Sequence, residues 1–300
     1  MSLIFSETLY PGYHQTMEVV GDILVDEQSP FQHIQIFDTQ SVGRVLALDG
    51  VVQITERDEA GYSEMLAHVP ILEHGYVRRV LIVGGGDGAV AEEVLKHPNI
   101  HVEMCEIDAR VIELSKTHLS RIHKGIFDHP DLTVHVRDAF DFMQCPLNQN
   151  RFDLIIADRP DPIGPAQVLF QTPFYEAVKR ALTDDGVAVF QNGVPFFQPE
   201  ELTETFNHVR SVFENIGCYI TAVPTYVGGF MALVWSSKKT HLGKIALQAL
   251  QTRFASQSLV TEYYNPAIHL GAFALPTWVS RLVPEGEGGD KEFCMSQLEA

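Results

Sequence analysis

The segment Val80-Leu-Ile-Val-Gly-Gly-Gly-Asp-Gly-Ala89 runs an apolar stretch into glycines interrupted by one acid. A strand that feeds glycines and then a helix lets backbone N–H groups approach a ligand closely. Gly84, Gly86 and Ala89 also satisfy the G-x-G-x-x-G/A dinucleotide pattern, so a nicotinamide enzyme is a rival reading and a ligand-free tight turn is another. Glu106, Asp138 and Asp158 each fall at the carboxyl end of an expected strand, the edge where open α/β sheets bind ligands. Glu106 lies twenty positions beyond Gly86, where a carboxylate takes both ribose hydroxyls of an adenosine. Together the three acids point to a nucleoside pocket, while Asp138 could equally cap a helix over AFDFM. Asp87 sits inside the glycine loop. A carboxylate there repels a pyrophosphate and attracts an ammonium, which favours a ligand with a bare amine tail; capping of the next helix is the alternative.

The stretch Ala157-Asp-Arg-Pro-Asp-Pro-Ile-Gly-Pro165 cannot be helical, because three prolines and a glycine hold it extended. It presents Asp158 and Asp161 on one stiff loop. One acid can bind an end of a diamine while the other removes a proton; a plain connector is the alternative.

These residues need a frame. Between Met17 and Thr55, β-branched runs such as QHIQIF, GRVLAL and VVQIT are broken by Ser29-Pro30 and Asp49-Gly50, which predicts a small antiparallel β-unit. From Val80 onward short apolar runs alternate with amphipathic stretches, the pattern of βαβ units and a parallel sheet. The expected strands cover 80–83, 102–106, 132–136, 152–157, 186–191, 218–223 and 230–235. Expected helices include AVAEEVLKH, ARVIELSKTHL, FYEAVKRAL and PEELTETFNHVRSVF. The fold expected is therefore α/β, with an N-terminal β-domain over 1–60 and a larger domain over 61–300.

Composition narrows the partners. Of 300 residues, 21 are Lys or Arg and 39 Asp or Glu, a net charge of −18, so the summed field repels nucleic acid and anionic lipid. Cys105, Cys145, Cys218 and Cys294 include no C-x-x-C pair, which suits free thiols in a reducing compartment. The opening MSLIFSETLYPGYHQ lacks a basic region followed by an apolar one, and no segment approaches a membrane-spanning length. The expectation is a cytoplasmic protein with no membrane span and no metal centre.

Motifs along nearly the whole chain resemble the spermidine synthases, the polyamine aminopropyltransferases, of bacterial type. They are GRVLALDGVVQITERDE (43–59), VGGGDGA (83–89), CEID (105–108), DPIGPA (161–166) followed by LF, QNGV (191–194), PTYVGG (224–229) and YYNPAIH with AFALP (263–276). The resemblance implies an N-terminal β-domain, a methyltransferase-like Rossmann domain with a seven-stranded mixed sheet, and a homodimer. It implies decarboxylated S-adenosylmethionine as co-substrate, a polyamine acceptor and no metal. By the same resemblance Asp158 is the catalytic base, Tyr62 and Tyr226 orient the amine, and Gln32, Gln53, Gly84, Gly86, Asp87, Glu106, Asp138 and Ala139 hold the donor. Asp161, Gln191, Ser63 and Arg159 fall to the acceptor. An S-adenosylmethionine-dependent methyltransferase and a non-catalytic polyamine or nucleoside binder are the remaining rivals.

Three positions depart from the family pattern. Arg159-Pro160 replaces a small or hydroxyl-bearing pair, and a guanidinium touching Asp158 would weaken it as a base. Ser63 replaces a His or Gln after the first tyrosine, with Ala60-Gly61 expected to loosen that region. Glu92 stands where Arg is common. If these cluster around one pocket, an altered donor or acceptor is implied.

Overall fold

The computed structural model describes residues 3–160 and 164–283. Its first sheet is antiparallel and holds β1 (Leu3–Tyr10), β2 (Tyr13–Val19), β3 (Val25–Gln28), β4 (His33–Thr39), β5 (Gly43–Leu48) and β6 (Val51–Thr55), in the order β1-β2-β4-β5-β6 with β3 on β4. The expected β-unit began only at Met17, so β1 and most of β2 are additions. The reason is chemical: the inward positions of β1 are Phe5, Glu7 and Tyr10, and a buried Glu7 breaks the apolar alternation that marks a strand.

Helix α1 (Glu59–His74) follows and is buried from Ala60 to Leu72. Gly75 ends it in the left-handed conformation, with φ 77° and its N–H on the Ile71 carbonyl at 2.9 Å, a shape glycine adopts at no steric cost.

The second sheet is mixed and seven-stranded. Its strands are β7 (Arg79–Gly84), β8 (His101–Glu106), β9 (Leu132–Val136), β10 (Phe152–Asp158), β11 (Leu182–Gln191), β12 (Asn215–Thr221) and β13 (Met231–Ser237), ordered β12-β13-β11-β10-β7-β8-β9. The five strands β7 to β11 pair in parallel, and β12 and β13 join antiparallel at one edge. Strand order reverses between β7 and β10, and a crevice opens at the carboxyl ends of strands at such a switch point. The sheet is covered by α2 (Ala89–Leu95), α3 (Ala109–His118), α4 (Ser120–His123), α5 (Ala139–Gln144), α6 (Thr172–Ala181) and α7 (Pro199–Arg210), and the chain continues into α8 (Leu247–Gln257), α9 (Pro266–Ala272) and α10 (Thr277–Ser280).

Alternate residues of the central strands feed two separate cores. Val80, Ile82, Leu154, Ile156, Val187 and Val189 pack with α1 residues such as Tyr62, Met65 and Leu66. Leu81, Val83, Ile155, Ala157, Ala188 and Phe190 pack with Phe174, Tyr175 and Phe206. Because neighbours on an extended strand point to opposite faces, the last residue of β10 and the one after it must part company.

Among the described residues no helix is long and apolar enough to cross a membrane.

Candidate active site

A cavity of about 360 Å³ opens at the switch point, walled on one side by the first sheet and on the other by the carboxyl edge of the second. Its floor is the glycine turn. Gly84 has φ 84°, and a Cβ there would stand 2.0 Å from the Asp158 carbonyl oxygen, so β7 and β10 can close up only without a side chain. Gly86 is as tightly placed: its Cβ would meet Val111 Cγ1 at 2.9 Å and Glu106 Oε2 at 3.0 Å.

Asp158, at the tip of β10, accepts a 2.6 Å hydrogen bond from the Tyr62 phenol on Oδ1. Burial pushes its carboxyl up to about 7, reinforced by the negative charges of Asp87 and Glu106 and opposed by the Tyr62 hydroxyl. Burial likewise raises Asp87, against the Ala89 N–H that its Oδ1 accepts at 2.8 Å. Asp87 thus engages the first N–H of the following helix, whose N-cap is Gly88, and still lines the cavity. Glu106 is pushed up to about 7 mainly by burial, although it accepts the Asp108 N–H at 2.8 Å. Three carboxyls that resist ionisation in one cavity make a site that gains by admitting cations.

Tyr62 meets Tyr226 edge-on, with ring centroids 5.9 Å apart. The Tyr226 hydroxyl donates to the Gln53 carbonyl oxygen, and Gln53 Nε2 donates to the Val51 carbonyl at 3.2 Å. Gln32 Nε2 donates to Asp108 Oδ2 at 3.1 Å, and the Ser29 hydroxyl donates to the same oxygen at 2.6 Å. The buried Asp108, whose N–H also donates to Glu106, therefore ties the turn between β3 and β4 to the loop after β8. Asp138 caps α5, accepting Phe140 N–H at 2.6 Å and Asp141 N–H at 3.2 Å, and Ala139 follows it into the cavity wall. Gln191 ends β11 beside the cavity, and its buried side-chain Oε1 has no hydrogen-bond partner among the described residues.

Glu7 and Tyr10 also line the cavity, and neither was expected there. Val52 N–H donates to Glu7 Oε2 at 2.7 Å and Gln15 Nε2 to Oε1 at 3.1 Å. The misleading signal is the same buried acid that hid β1.

Two of the three departures, Arg159-Pro160 and Ser63, line the cavity, and the third does not. Ser63 is buried in the cavity wall, but Glu92 ion-pairs with Lys96 and Lys124, both at 3.3 Å, on α2 outside it. Gly61 tightens its surroundings instead of loosening them: a Cβ there would stand 2.6 Å from the Ala222 carbonyl oxygen. Arg159, expected beside Asp158 at the acceptor, lines the cavity, but the hydrogen bonds of its guanidinium are made to groups other than Asp158. Its Nε donates to the Gln191 carbonyl at 3.3 Å, and its Nη1 donates to the Leu169 carbonyl and, at 3.1 Å, to the Tyr175 hydroxyl oxygen. Asp161 lies outside the described residues.

Fold and site together define a Rossmann-type enzyme whose acidic pocket faces a glycine turn. Residues 59–245 match the family model for the spermine/spermidine synthase domain, and residues 3–56 that for the spermidine synthase tetramerisation domain. The chain belongs to the spermine/spermidine synthase family and is an aminopropyltransferase. It is 46% identical over 280 residues to the polyamine aminopropyltransferase of Ruegeria sp. (strain TM1040), spanning 93% of this chain and 98% of that one. Polyamine aminopropyltransferase 1 of Pseudomonas aeruginosa is 45% identical over 280 residues, spanning 93% and 97%. Among solved structures, a spermidine synthase in complex with the transition state analogue AdoDATO superposes with a TM-score of 0.87 at 32% identity, covering 94% of each chain. The spermidine synthase from Thermotoga maritima gives 0.85 at 31%, again covering 94% of each.

Proposed function

We propose that this chain transfers the aminopropyl group of decarboxylated S-adenosylmethionine to putrescine or a closely related amine, releasing methylthioadenosine and spermidine or its analogue. The observation that carries the reading is Asp158: a carboxyl near neutrality, oriented by the Tyr62 phenol in one cavity with Asp87 and Glu106.

The attacking amine must be neutral. With a pKa near 10.4, as for lysine, only on the order of one alkylamine in a thousand is neutral at pH 7. The amine lone pair forms a bond to the methylene beside the sulfonium, the carbon–sulfur bond breaks with its electrons on sulfur, and the spare ammonium proton passes to Asp158. Tyr62 and Tyr226 orient the amine, and Gln191 and Ser63 shape the acceptor side, with Asp161 proposed to hold the acceptor's far end. Glu106 takes the ribose hydroxyls. Asp87 faces the donor's ammonium and would repel the carboxylate of intact S-adenosylmethionine. Gln32, Gln53, Gly84, Gly86, Asp138 and Ala139 complete the donor site. The match of residues 3–56 to a tetramerisation domain supports an oligomer, for which a homodimer is our proposal; a cytoplasmic location is a proposal of the same standing.

Mass spectrometry of products tests this. The protein is incubated with decarboxylated or intact S-adenosylmethionine and a panel of amines. Aminopropylated putrescine with methylthioadenosine is expected from the decarboxylated donor alone. Turnover of the intact donor, or of no amine, overturns the assignment.

A further inference from the structure

Arg159 is 2% exposed, and no carboxylate is among its described contacts. Burying a guanidinium is costly. Ring faces and lone pairs offset part of that cost here, although Nη2 has no hydrogen-bond partner among the described residues: the guanidinium carbon lies 3.5 Å from the Phe170 ring centre, with Tyr175 and Phe190 at 5.6 and 5.5 Å. Its acceptors come from three places, the end of β11 (Gln191), the 3-10 turn Gly164–Phe170 (Leu169) and α6 (Tyr175).

We infer that Arg159 is a positioning residue that acts through Asp158, pinning the backbone just beyond that carboxylate to the opposite face of the sheet. The inference rests on the reading that Asp158 takes the amine's proton. Along β10, Leu154 and Ile156 share the core of Tyr62, and Ile155 and Ala157 share that of Tyr175 and Phe190. Asp158 continues the first series toward the Tyr62 phenol, and Arg159 continues the second into the aromatic cage. With Arg159 stapled to β11 and to the 3-10 turn, the Asp158 backbone cannot rotate without breaking contacts on the far side. The same arrangement keeps the positive charge off the base. A guanidinium fork suits this staple, whereas a single ammonium cannot reach three acceptors in different directions and also lie flat on a ring.

Steady-state kinetics of the full chain with Arg159→Met, Arg159→Lys and Tyr175→Phe test the role, with thermal midpoints reporting folding. For Arg159→Met we expect kcat to fall about 10- to 100-fold from misplacement of the base, with KM for the amine within about twofold. The acid limb of its kcat/KM profile should move to lower pH, as a loosened carboxylate meets water. Arg159→Lys should resemble the Met variant. Tyr175→Phe removes one acceptor, keeps the ring, and should shift kcat the same way by less, which covers the case of an unfolded Arg159 variant. An unchanged kcat and pH profile overturns the inference, as does an effect confined to KM for the amine, which would make Arg159 a direct acceptor contact. If the wild type forms no aminopropylated product, the proton-transfer reading fails and this inference with it; an active wild type with indifferent variants removes the inference alone.

Discussion

The Tyr62 hydroxyl donates a 2.6 Å hydrogen bond to Oδ1 of Asp158, across 96 residues of sequence. The bond both aims the carboxylate and stabilises its ionised form, working against burial. Tyr62→Phe therefore has two expected effects. Loss of aim lowers kcat by about 10- to 100-fold. Loss of the donor raises the Asp158 carboxyl further, so the acid limb of kcat/KM moves to higher pH. A profile measured from pH 5.5 to 9 checks both, and an acid limb that stays put would separate the phenol from the base.

The raised carboxyls also predict how ligand binding depends on pH. Burial pushes the Asp158 and Glu106 carboxyls up to about 7, against ordinary values near 4, with the Asp87 charge acting in the same direction on both. Between about pH 4 and 7 the folded protein holds more protons than the unfolded chain, so ∂ΔG/∂pH is negative and stability falls as pH rises through that window. A cationic donor stabilises the ionised forms, so its binding should release protons near pH 6.5 and tighten as pH rises toward 8. Methylthioadenosine, which is neutral, should respond much less. Calorimetry in buffers of different ionisation enthalpy measures the release. Equal proton counts for the two ligands would exclude the carboxyl cluster as the cation's partner.

Much of this arrangement is legible in the residues, and the failures have identifiable causes. The acids at 106, 138 and 158 follow apolar strand runs, so their place at the sheet's carboxyl edge follows from the alternation of strands and helices. Helix α1 gives no such signal, because it is buried on all sides from Ala60 to Leu72 and so has no polar face to set a 3.6-residue period. Glu7 hid β1 by occupying an inward position. Adjacency in sequence suggests contact between Asp158 and Arg159, yet adjacency on an extended chain is what directs their side chains apart. Glu92 shows the converse: it pairs with Lys96 one helical turn on and with Lys124 at the end of α4, and leaves the cavity untouched.

The motif YYNPAIH helps build the scaffold of α1. Glu64, buried on α1, accepts N–H groups from Glu262 at 2.7 Å, Tyr263 at 3.0 Å and Tyr264 at 2.6 Å, and Asn265 caps α9 through Ala267 and Ile268. Glu64→Gln places an amide donor against at least one of those N–H groups. Three charge-assisted bonds are weakened at once, for an expected loss of about 2–3 kcal/mol. Denaturant unfolding gives the loss. A midpoint within error of wild type would mean the 262–264 backbone finds other acceptors.

Gly61 sets two effects against each other. In a helix interior alanine is ordinarily better than glycine by about 1 kcal/mol. At this position, however, a Cβ would stand 2.6 Å from the Ala222 carbonyl oxygen, a backbone atom that cannot swing aside, and the Gly61 carbonyl already accepts the Thr221 hydroxyl at 2.5 Å. Forcing α1 from the end of β12 costs about 1–3 kcal/mol as overpacking. The clash should win, so Gly61→Ala is expected to lower the thermal midpoint despite its better helix propensity. Because Tyr62 is the next residue, the same displacement moves the phenol relative to Asp158, and kcat should fall along with stability. A midpoint at or above wild type with unchanged kcat would show that α1 can shift by a few tenths of an ångström without disturbing the base.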